Sequence, residues 1–144
     1  MTSPRDCIES LHLAQRDFYT GGSGERLREL LTEDIVWTIP GRNAIAGRYE
    51  GIEQVMAYFE RRRELASHTF QMHTREILTG DGDHVAALTD GRATLGGAER
   101  RWSTVGLYRV RDRRIAACWL LPLDGDEFDR IWAFTDRDAP VTPR

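Results

Sequence analysis

Apolar side chains recur every three or four residues in the first part of the chain, which predicts helices. The first helix begins at residues 2–4, where hydroxyl residues precede a proline, and it ends at the glycine-rich segment 21–24. Ser23 is expected to cap a short second helix, and a third begins after Gly51 and ends in the charged run 60–64. The inward stripe of the first helix contains Ile8, Leu11, His12, Gln15, Phe18 and Tyr19, and that of the third contains Ile52, Val55, Met56 and Phe59.

After Ser67 the period changes from helical to alternating, which predicts strands. Short turns separate these strands, so consecutive strands are expected to pair as an antiparallel meander. Residues 40–51, between the first strand and the third helix, are expected to form a loop. The predicted strands are residues 35–39, 70–78, 85–95, 100–110 and 115–123.

Three helices followed by a strongly curved antiparallel sheet form an α+β arrangement. The expected shape is a cone whose concave face leaves an apolar pocket, and such a pocket is the default site of a small ligand. Residues 1–134 are predicted to form a single domain, closed by a last helix that Asp126 caps. Residues 135–144 are polar, contain two prolines and are expected to form a flexible C-terminal tail.

The composition is that of a soluble globular domain, because the 144 residues are 40% apolar and 30% charged, with a formal net charge of -3. This balance argues against nucleic acid as a partner, since nucleic-acid binders carry a basic surplus. The longest apolar run, 115–121, is too short to cross a bilayer, and the first six residues contain no apolar signal segment. The two cysteines are far apart and form no disulfide framework, so we expect a reduced, cytoplasmic protein. We also expect no membrane contact and a bacterial origin.

Several cofactor chemistries are excluded by residues that the sequence lacks. All basic residues are arginine, and without lysine there is no Schiff base, no anchor for pyridoxal phosphate and no lysine of a phosphate loop. No glycine-rich loop leads from a strand into a helix, as dinucleotide binding requires. The four histidines are scattered without the spacing of metal ligands, so neither a metal nor any other cofactor is expected.

Strand alternation and helical stripes select the side chains that face the pocket. If Gly106 faces inward, so do the residues two and four positions away on its strand. Gln15 is an amide on an otherwise apolar stripe and is suited to orient a ligand carbonyl, while Glu76 has the inward parity of its strand and is suited to acid or base chemistry. We predict catalytic roles for Gln15 and Glu76, and a substrate-binding wall of His12, Tyr19, Trp37, Ile39, Met56, Phe59, Trp102, Thr104, Tyr108, Cys118 and Leu120.

Each candidate has a structural alternative. The amide of Gln15 could be satisfied by a neighbouring backbone group, and His12 could have a structural or partly exposed role. Glu76 could be solvated at the rim of the pocket, and the aromatic residues could be ordinary core.

Two further charged groups are expected to lie outside the pocket. Asp90 and Arg92 are two residues apart on one strand face, which predicts an outward ion pair at a dimer face. The run 61–63 of three arginines is expected to be the solvated end of the third helix.

Five segments together resemble the SnoaL-like branch of the nuclear transport factor 2-like superfamily, over roughly residues 5–134. They are residues 33–41, 47–51 with the helix that follows, 106–112, 115–119 and 128–132. The resemblance implies a cystatin-like roll that dimerises through the outer face of the sheet. The superfamily includes polyketide cyclases, ketosteroid isomerase, limonene epoxide hydrolase and small-molecule binders, so the fold alone does not name a reaction.

The residues at the family's catalytic positions differ in this chain. The general base of the isomerases would fall at Ile39, their acidic oxyanion donor at Gly106 and their tyrosine near Gln15. The catalytic aspartate of SnoaL-type cyclases would fall at Leu120 and its neighbouring histidine at Cys118. An isomerase-type proton shuttle between carboxyl groups is therefore not expected.

Two functions follow from the resemblance and from these departures. The first is a cofactor-free cyclase or isomerase of secondary metabolism, acting on an apolar polyketide-like or terpenoid molecule whose reactive conformer the pocket holds. The second is a non-catalytic protein of the same fold that binds a small molecule. In both, the partners are a small molecule and a second copy of the chain.

Overall fold

The computed structural model describes residues 3–138, which contain four helices and six strands. In chain order these are α1 (Pro4–Tyr19), α2 (Glu25–Glu29), β1 (Leu31–Ile39), β2 (Gly47–Glu50), α3 (Ile52–Leu65), β3 (Gln71–Thr79), β4 (His84–Leu95), β5 (Ala98–Arg111), β6 (Arg114–Pro122) and α4 (Gly125–Asp138). The strands form one sheet in the order β2-β1-β6-β5-β4-β3. Strands β3 to β6 are the predicted antiparallel meander, and the curved sheet with its helices confirms the α+β fold class.

The first two strands differ from the prediction. Strand β1 begins at Leu31 rather than at residue 35, and residues 47–50, expected in a loop, form β2. Strand β1 is also parallel to β6, so the sheet is not wholly antiparallel. Local alternation sets the face that each side chain takes, but it does not set the direction of a pairing between distant segments.

The helix starts follow the capping rules, with two changes from the prediction. Ser3 caps α1 in a capping box, in which its Oγ accepts from a backbone N–H of the first turn at 3.1 Å. The N-cap of α2 is Gly24 rather than Ser23, because the chain enters this helix with a left-handed residue at φ 89°. Asp124, rather than Asp126, accepts a backbone hydrogen bond from the first turn of α4.

The helices cover the concave face of the sheet and enclose an aromatic core. Helix α1 packs mainly on β3, α3 on β1, and α4 on β4, β5 and β6. The rings of Trp102 and Trp132 meet edge to face at 5.4 Å and connect the meander with α4. Helix α4 continues to Asp138, four residues into the segment predicted as a tail, and residues 139–144 of that prediction lie outside the described part of the chain.

Replacing Ser3 with alanine is expected to lower the free energy of unfolding by about 1 kcal/mol, because α1 loses its capping acceptor. Ser10→Ala in the interior of the same helix is the control, and it should leave stability unchanged or slightly higher because alanine is the better helix former. Urea unfolding followed by circular dichroism measures both variants. Equal stabilities would contradict the capping role.

Candidate functional site

A small interior cavity lies between the concave face of the sheet and helices α1 and α3. Its volume is about 30 Å³, which is room for one or two water molecules. The wall is mostly aromatic and apolar, with polar groups from both helices and from the strands. The cavity is lined by His12, Gln15, Trp37, Arg62, Phe70, Met72, Thr89, Gly91, Trp102, Thr104, Tyr108 and Leu120.

His12 on α1 connects two strands across this space. Its Nδ1 lies 2.5 Å from the Oγ1 of Thr74, and its Nε2 lies 3.2 Å from the hydroxyl of Tyr108. Burial, with a smaller contribution from the cation of Arg16, lowers the pKa of His12 to about 4. The imidazole is therefore neutral at pH 7, so one ring nitrogen donates while the other accepts.

Two other polar groups of the cavity-lining residues are buried without a partner. The Oε1 of Gln15 and the indole Nε1 of Trp37 make no hydrogen bond to any residue that the structure describes. A buried donor or acceptor left unpaired costs about 1–3 kcal/mol. These two groups are consequently available to hydrogen-bond a molecule that enters the cavity.

Arg62 brings a positive charge to the cavity wall. Only 5% of this residue is exposed, and its Nε donates a hydrogen bond to the hydroxyl of Tyr19 at 2.9 Å. Its guanidinium lies between 4.6 and 5.3 Å from the ring centres of Tyr19, Tyr58 and Phe70. The prediction of a solvated run at 61–63 is therefore wrong for its middle residue, which continues the inward stripe of α3.

Two glycines allow aromatic rings to lie directly against the sheet. A Cβ atom at Gly106 would lie 2.7 Å from the hydroxyl of Tyr108, and one at Gly91 would lie 2.6 Å from the indole nitrogen of Trp102. Burial raises the pKa of Tyr108, so its hydroxyl stays protonated and can donate. The two rings thus shape the floor of the cavity.

The cysteines and the acidic residues offer neither a nucleophile nor a metal site. Cys7 and Cys118 are both buried free thiols, and burial raises the pKa of Cys118, which keeps it in the unreactive thiol form. Among the described residues, no cluster of three histidine, cysteine, aspartate or glutamate side chains could hold a metal ion. None of the helices in this part of the chain is long and apolar enough to span a membrane.

The sequence matches a known family along most of its length. A model of the SnoaL-like domain covers residues 13–118. The chain belongs to the SnoaL-like family. This agrees with the resemblance to the SnoaL-like branch of the nuclear transport factor 2-like superfamily. No curated protein matches this SnoaL-like chain.

Solved structures share the fold of this SnoaL-like chain at low sequence identity. Bal32a, from a soil-derived mobile gene cassette, is 24% identical with a TM-score of 0.81, over 90% of this chain and 98% of that one. A protein of unknown function with a cystatin-like fold from Xanthomonas campestris is 22% identical with a TM-score of 0.81, over 91% and 98% of the two chains. TerC, co-crystallized with polyporic acid, is 17% identical with a TM-score of 0.75, over 90% and 98%. At these identities the likeness shows the fold.

The SnoaL-like fold brings many of the predicted site residues together. Those in the cavity wall are His12, Gln15, Trp37, Trp102, Thr104, Tyr108 and Leu120. Others are buried in the surrounding core instead, namely Tyr19, Ile39, Met56, Phe59 and Cys118. Stripes and alternation identify the inward face of an element, but only part of that face reaches the cavity.

Glu76 does not face the interior cavity, contrary to the inward orientation predicted for it, and lines the groove between α1 and β3 instead. Its side chain is exposed, and the residue does not line the cavity. The pairing of β3 with β4 shifts by one residue between Thr74 and Glu76, which is the geometry of a β-bulge. The extra residue reverses the alternation, so Ile77 is buried and Leu78 is 56% exposed.

Five lining residues are absent from the predicted set: Arg62, Phe70, Met72, Thr89 and Gly91. A signal existed for three of them. Phe70 and Met72 share the inward parity of β3 before the bulge, and Arg62 lies three positions after Phe59 on the stripe of α3.

Asp90 and Arg92 face outward as predicted, but they do not pair with each other. Asp90 contacts Arg75 at 2.8 Å and accepts a hydrogen bond from Ser103 at 2.6 Å, and these contacts lower the pKa of Asp90. Arg92 lies 3.6 Å from a carboxylate oxygen of Glu99. Ser103 is directly opposite Asp90, whereas Glu99 is diagonal to Arg92 and Arg75 is the bulged residue of β3, so every one of these partners comes from a neighbouring strand.

The stability of the protein is expected to fall by about 2 kcal/mol between pH 7.5 and pH 5, because His12 is neutral in the fold. In the unfolded chain the pKa of histidine is about 6.5, whereas in the folded protein the pKa of His12 is about 4. Between these two pH values the unfolded state binds one more proton than the folded state, so acidification favours unfolding. Urea unfolding across this pH range measures the effect. The loss of stability on acidification should be much smaller in His12→Gln. It should be the same as in the wild type in His84→Gln, whose side chain is exposed. Identical pH profiles for the wild type and both variants would contradict the prediction.

Proposed function

We propose that this SnoaL-like domain is a cofactor-free enzyme that binds a polyketide-like or terpenoid molecule in its interior cavity and catalyses a cyclisation or isomerisation. The observation that carries the proposal is the convergence of His12, Gln15 and Tyr108 in an aromatic cavity where the amide oxygen of Gln15 lacks a partner. Pockets with apolar walls and a few convergent polar groups are the usual small-molecule sites of proteins. The family, which includes cyclases and isomerases, supports the same class of activity.

A ligand of this size requires the cavity to widen, because small-molecule sites usually measure about 300–1,000 Å³. His12 and Met72 line both the cavity and an open groove of about 600 Å³ between α1 and β3. Met72 is flexible and half-buried, so a change of its rotamer would join the two spaces. TerC, which shares this fold, has been co-crystallized with polyporic acid, and this supports an organic ligand.

The chemistry of the site suits positioning more than strong acid–base catalysis. The unpaired Oε1 of Gln15 can accept from a ligand hydroxyl, and the hydroxyl of Tyr108 can donate to a ligand carbonyl. Neutral His12 can accept a proton only by giving up one of its two hydrogen bonds. Among the described residues, no carboxylate lines the cavity itself, and those of Glu9 and Glu76 lie in the adjoining groove. A ring closure that is guided by the shape of the cavity needs few acid–base groups, because holding the substrate in its reactive conformation supplies much of the rate acceleration.

The second candidate is a binding protein without catalysis. It is favoured by the pKa of about 4 at His12, which makes this imidazole a weak base at neutral pH. Turnover separates the candidates: polyketide-like and terpenoid substrates are incubated with the wild type and with Thr104→Leu, whose larger side chain would fill the cavity of about 30 Å³. Circular dichroism checks that the variant folds, and the products are analysed by mass spectrometry and NMR. Product formed only by the wild type supports the enzyme, whereas binding without product supports the binding protein.

We propose that the domain forms a homodimer through the outer face of the sheet. Strands β4 to β6 present a continuous apolar surface there, in which Leu88, Val105 and Leu121 lie opposite one another in neighbouring strands. Leu121 is 45% exposed and Trp119 is 36% exposed. Exposed apolar patches of this kind mark protein interfaces.

The two buried free cysteines suit the reducing cytoplasm, where we place the protein.

Replacing Gln15 with leucine is expected to weaken binding of an aromatic alcohol such as 2-naphthol about tenfold, because the ligand hydroxyl loses the Oε1 acceptor of Gln15. The free energy of unfolding should not fall, since leucine removes an unpaired buried acceptor. Tryptophan fluorescence titration and urea unfolding measure the two effects. Gln54→Leu, at an exposed position of α3, is the matched control. Lost stability with unchanged binding would show that Gln15 is structural.

Leu121→Glu is expected to convert the dimer to monomers, because it places a charge in the centre of the apolar outer face. Sedimentation velocity at micromolar concentration measures the change. The control is Leu13→Glu, which alters a leucine that is 64% exposed on α1, away from the sheet. A wild type that sediments only as a monomer would refute the interface.

A further inference from the structure

Arg62, the arginine of the cavity wall, has a charge that no acidic group among the described residues balances. Arg62 is 5% exposed and lines the cavity, whereas Arg61 is exposed and Arg63 is half-buried beside the ring of Phe18. No carboxylate among the described residues lies in salt-bridge contact with Arg62. Surface arginines of the same chain do have such partners, including Arg28 with Glu53, Arg48 with Glu50 and Arg111 with Asp34.

The hydrogen-bond donors of Arg62 are also largely unused. A guanidinium carries five N–H donors, and within the described chain its one hydrogen bond runs from Nε to Tyr19. The rings of Tyr19, Tyr58 and Phe70 attract the cation through their faces. Ring faces do not accept hydrogen bonds in the way that oxygens do, so the two terminal amino groups have no protein acceptor.

Arg62 nevertheless stays charged. Burial acts to lower its pKa, but the phenol groups of Tyr19 and Tyr58 and the hydrogen bond to Tyr19 act in the opposite direction, and the pKa of Arg62 lies above its ordinary value. A buried cation without an anion is costly, and it is usually found paired. Arg62 therefore holds an unbalanced positive charge at the wall of the cavity.

We propose that the molecule bound in this cavity is an organic anion, an aryl carboxylate or a similarly planar oxyanion, whose charge pairs with Arg62. The inference rests on the proposed function, since it names the class of the small molecule that the cavity takes. The fork of a guanidinium matches two oxygens of a planar anion, and the unpaired indole N–H of Trp37 is a further donor in the same wall. The aromatic rings then hold the apolar body of the ligand, so the ligand is amphipathic rather than wholly apolar.

The test compares two probes of the same shape, 2-naphthoate and its neutral primary amide 2-naphthamide, by isothermal titration calorimetry. The wild type is expected to bind naphthoate at least tenfold more tightly than naphthamide. Arg62→Met should abolish this preference, because the charge that distinguishes the two probes is gone, and Arg62→Lys should retain part of it because the charge stays and the fork is lost. Arg63→Met is the matched control, because it removes the neighbouring arginine outside the cavity wall, and it should bind as the wild type does.

Stability provides a second measurement. Without ligand, Arg62→Met should unfold at a denaturant concentration no lower than that of Arg63→Met, since methionine keeps the aliphatic stem and removes an unpaired buried charge. If Arg62 instead serves only to hold its three rings, Arg62→Met will be clearly less stable and the wild type will show no preference between the probes. Should Arg62→Met fail to fold, the wild-type preference and Arg62→Lys still decide the question.

The outcomes also separate this inference from the proposed function. Equal binding of both probes by the wild type, or an unchanged naphthoate affinity in Arg62→Met, overturns the inference and leaves small-molecule binding intact. Binding of neither probe counts against both. A naphthoate preference that Arg63→Met abolishes as well would assign the effect to the surface charge of α3 and overturn the role of Arg62.

Discussion

The parallel pairing of β1 with β6 is the contact on which the candidate site depends. It places Trp37 beside Cys118, and the next pairing places Cys118 beside Tyr108, so these three side chains form one row across the concave face. The rings of Trp37 and Tyr108 then meet edge to face at 6.0 Å over the small cysteine. Without this pairing the amino-terminal segment would have no fixed position relative to the meander, and the cavity would lose one wall.

Helices α1 and α3 complete the enclosure, and they bring polar groups into an apolar interior. His12 is satisfied by the two hydroxyls on either side of it, whereas Gln15 and Arg62 keep unused hydrogen-bonding capacity. Each unpaired group lowers the free energy of unfolding, whereas an apolar side chain of similar size at the same position would not. Under the proposed function, a ligand in the cavity would supply partners for these groups.

The fold of this SnoaL-like chain does not by itself determine the chemistry of its site. Proteins that are 17–24% identical share the architecture over about nine-tenths of the chain. The positions at which the resemblance places the carboxyl groups of the isomerases are Ile39 and Gly106, and Gly106 lies under the hydroxyl of Tyr108. The polar groups in the cavity wall include instead the imidazole of His12, the amide of Gln15, the phenol of Tyr108 and the guanidinium of Arg62. These groups suit the binding and positioning of a ligand better than proton transfer between carboxyl groups.

The sequence by itself determined the local features of the protein, because each arises within a few residues. The capping of α1 by Ser3, the strands of the meander and the inward parity of Tyr108 were all predictable from spacing and residue type. Tertiary structure alone decided the rest. The bulge that turns Glu76 outward depends on the register with β4, and the parallel direction of β1 depends on a strand about 80 residues away. The burial of Arg62 depends on Tyr19 of α1 and on Phe70, besides Tyr58 of its own helix. Local patterns set the face that a side chain takes, whereas the surroundings of that face come from distant parts of the chain.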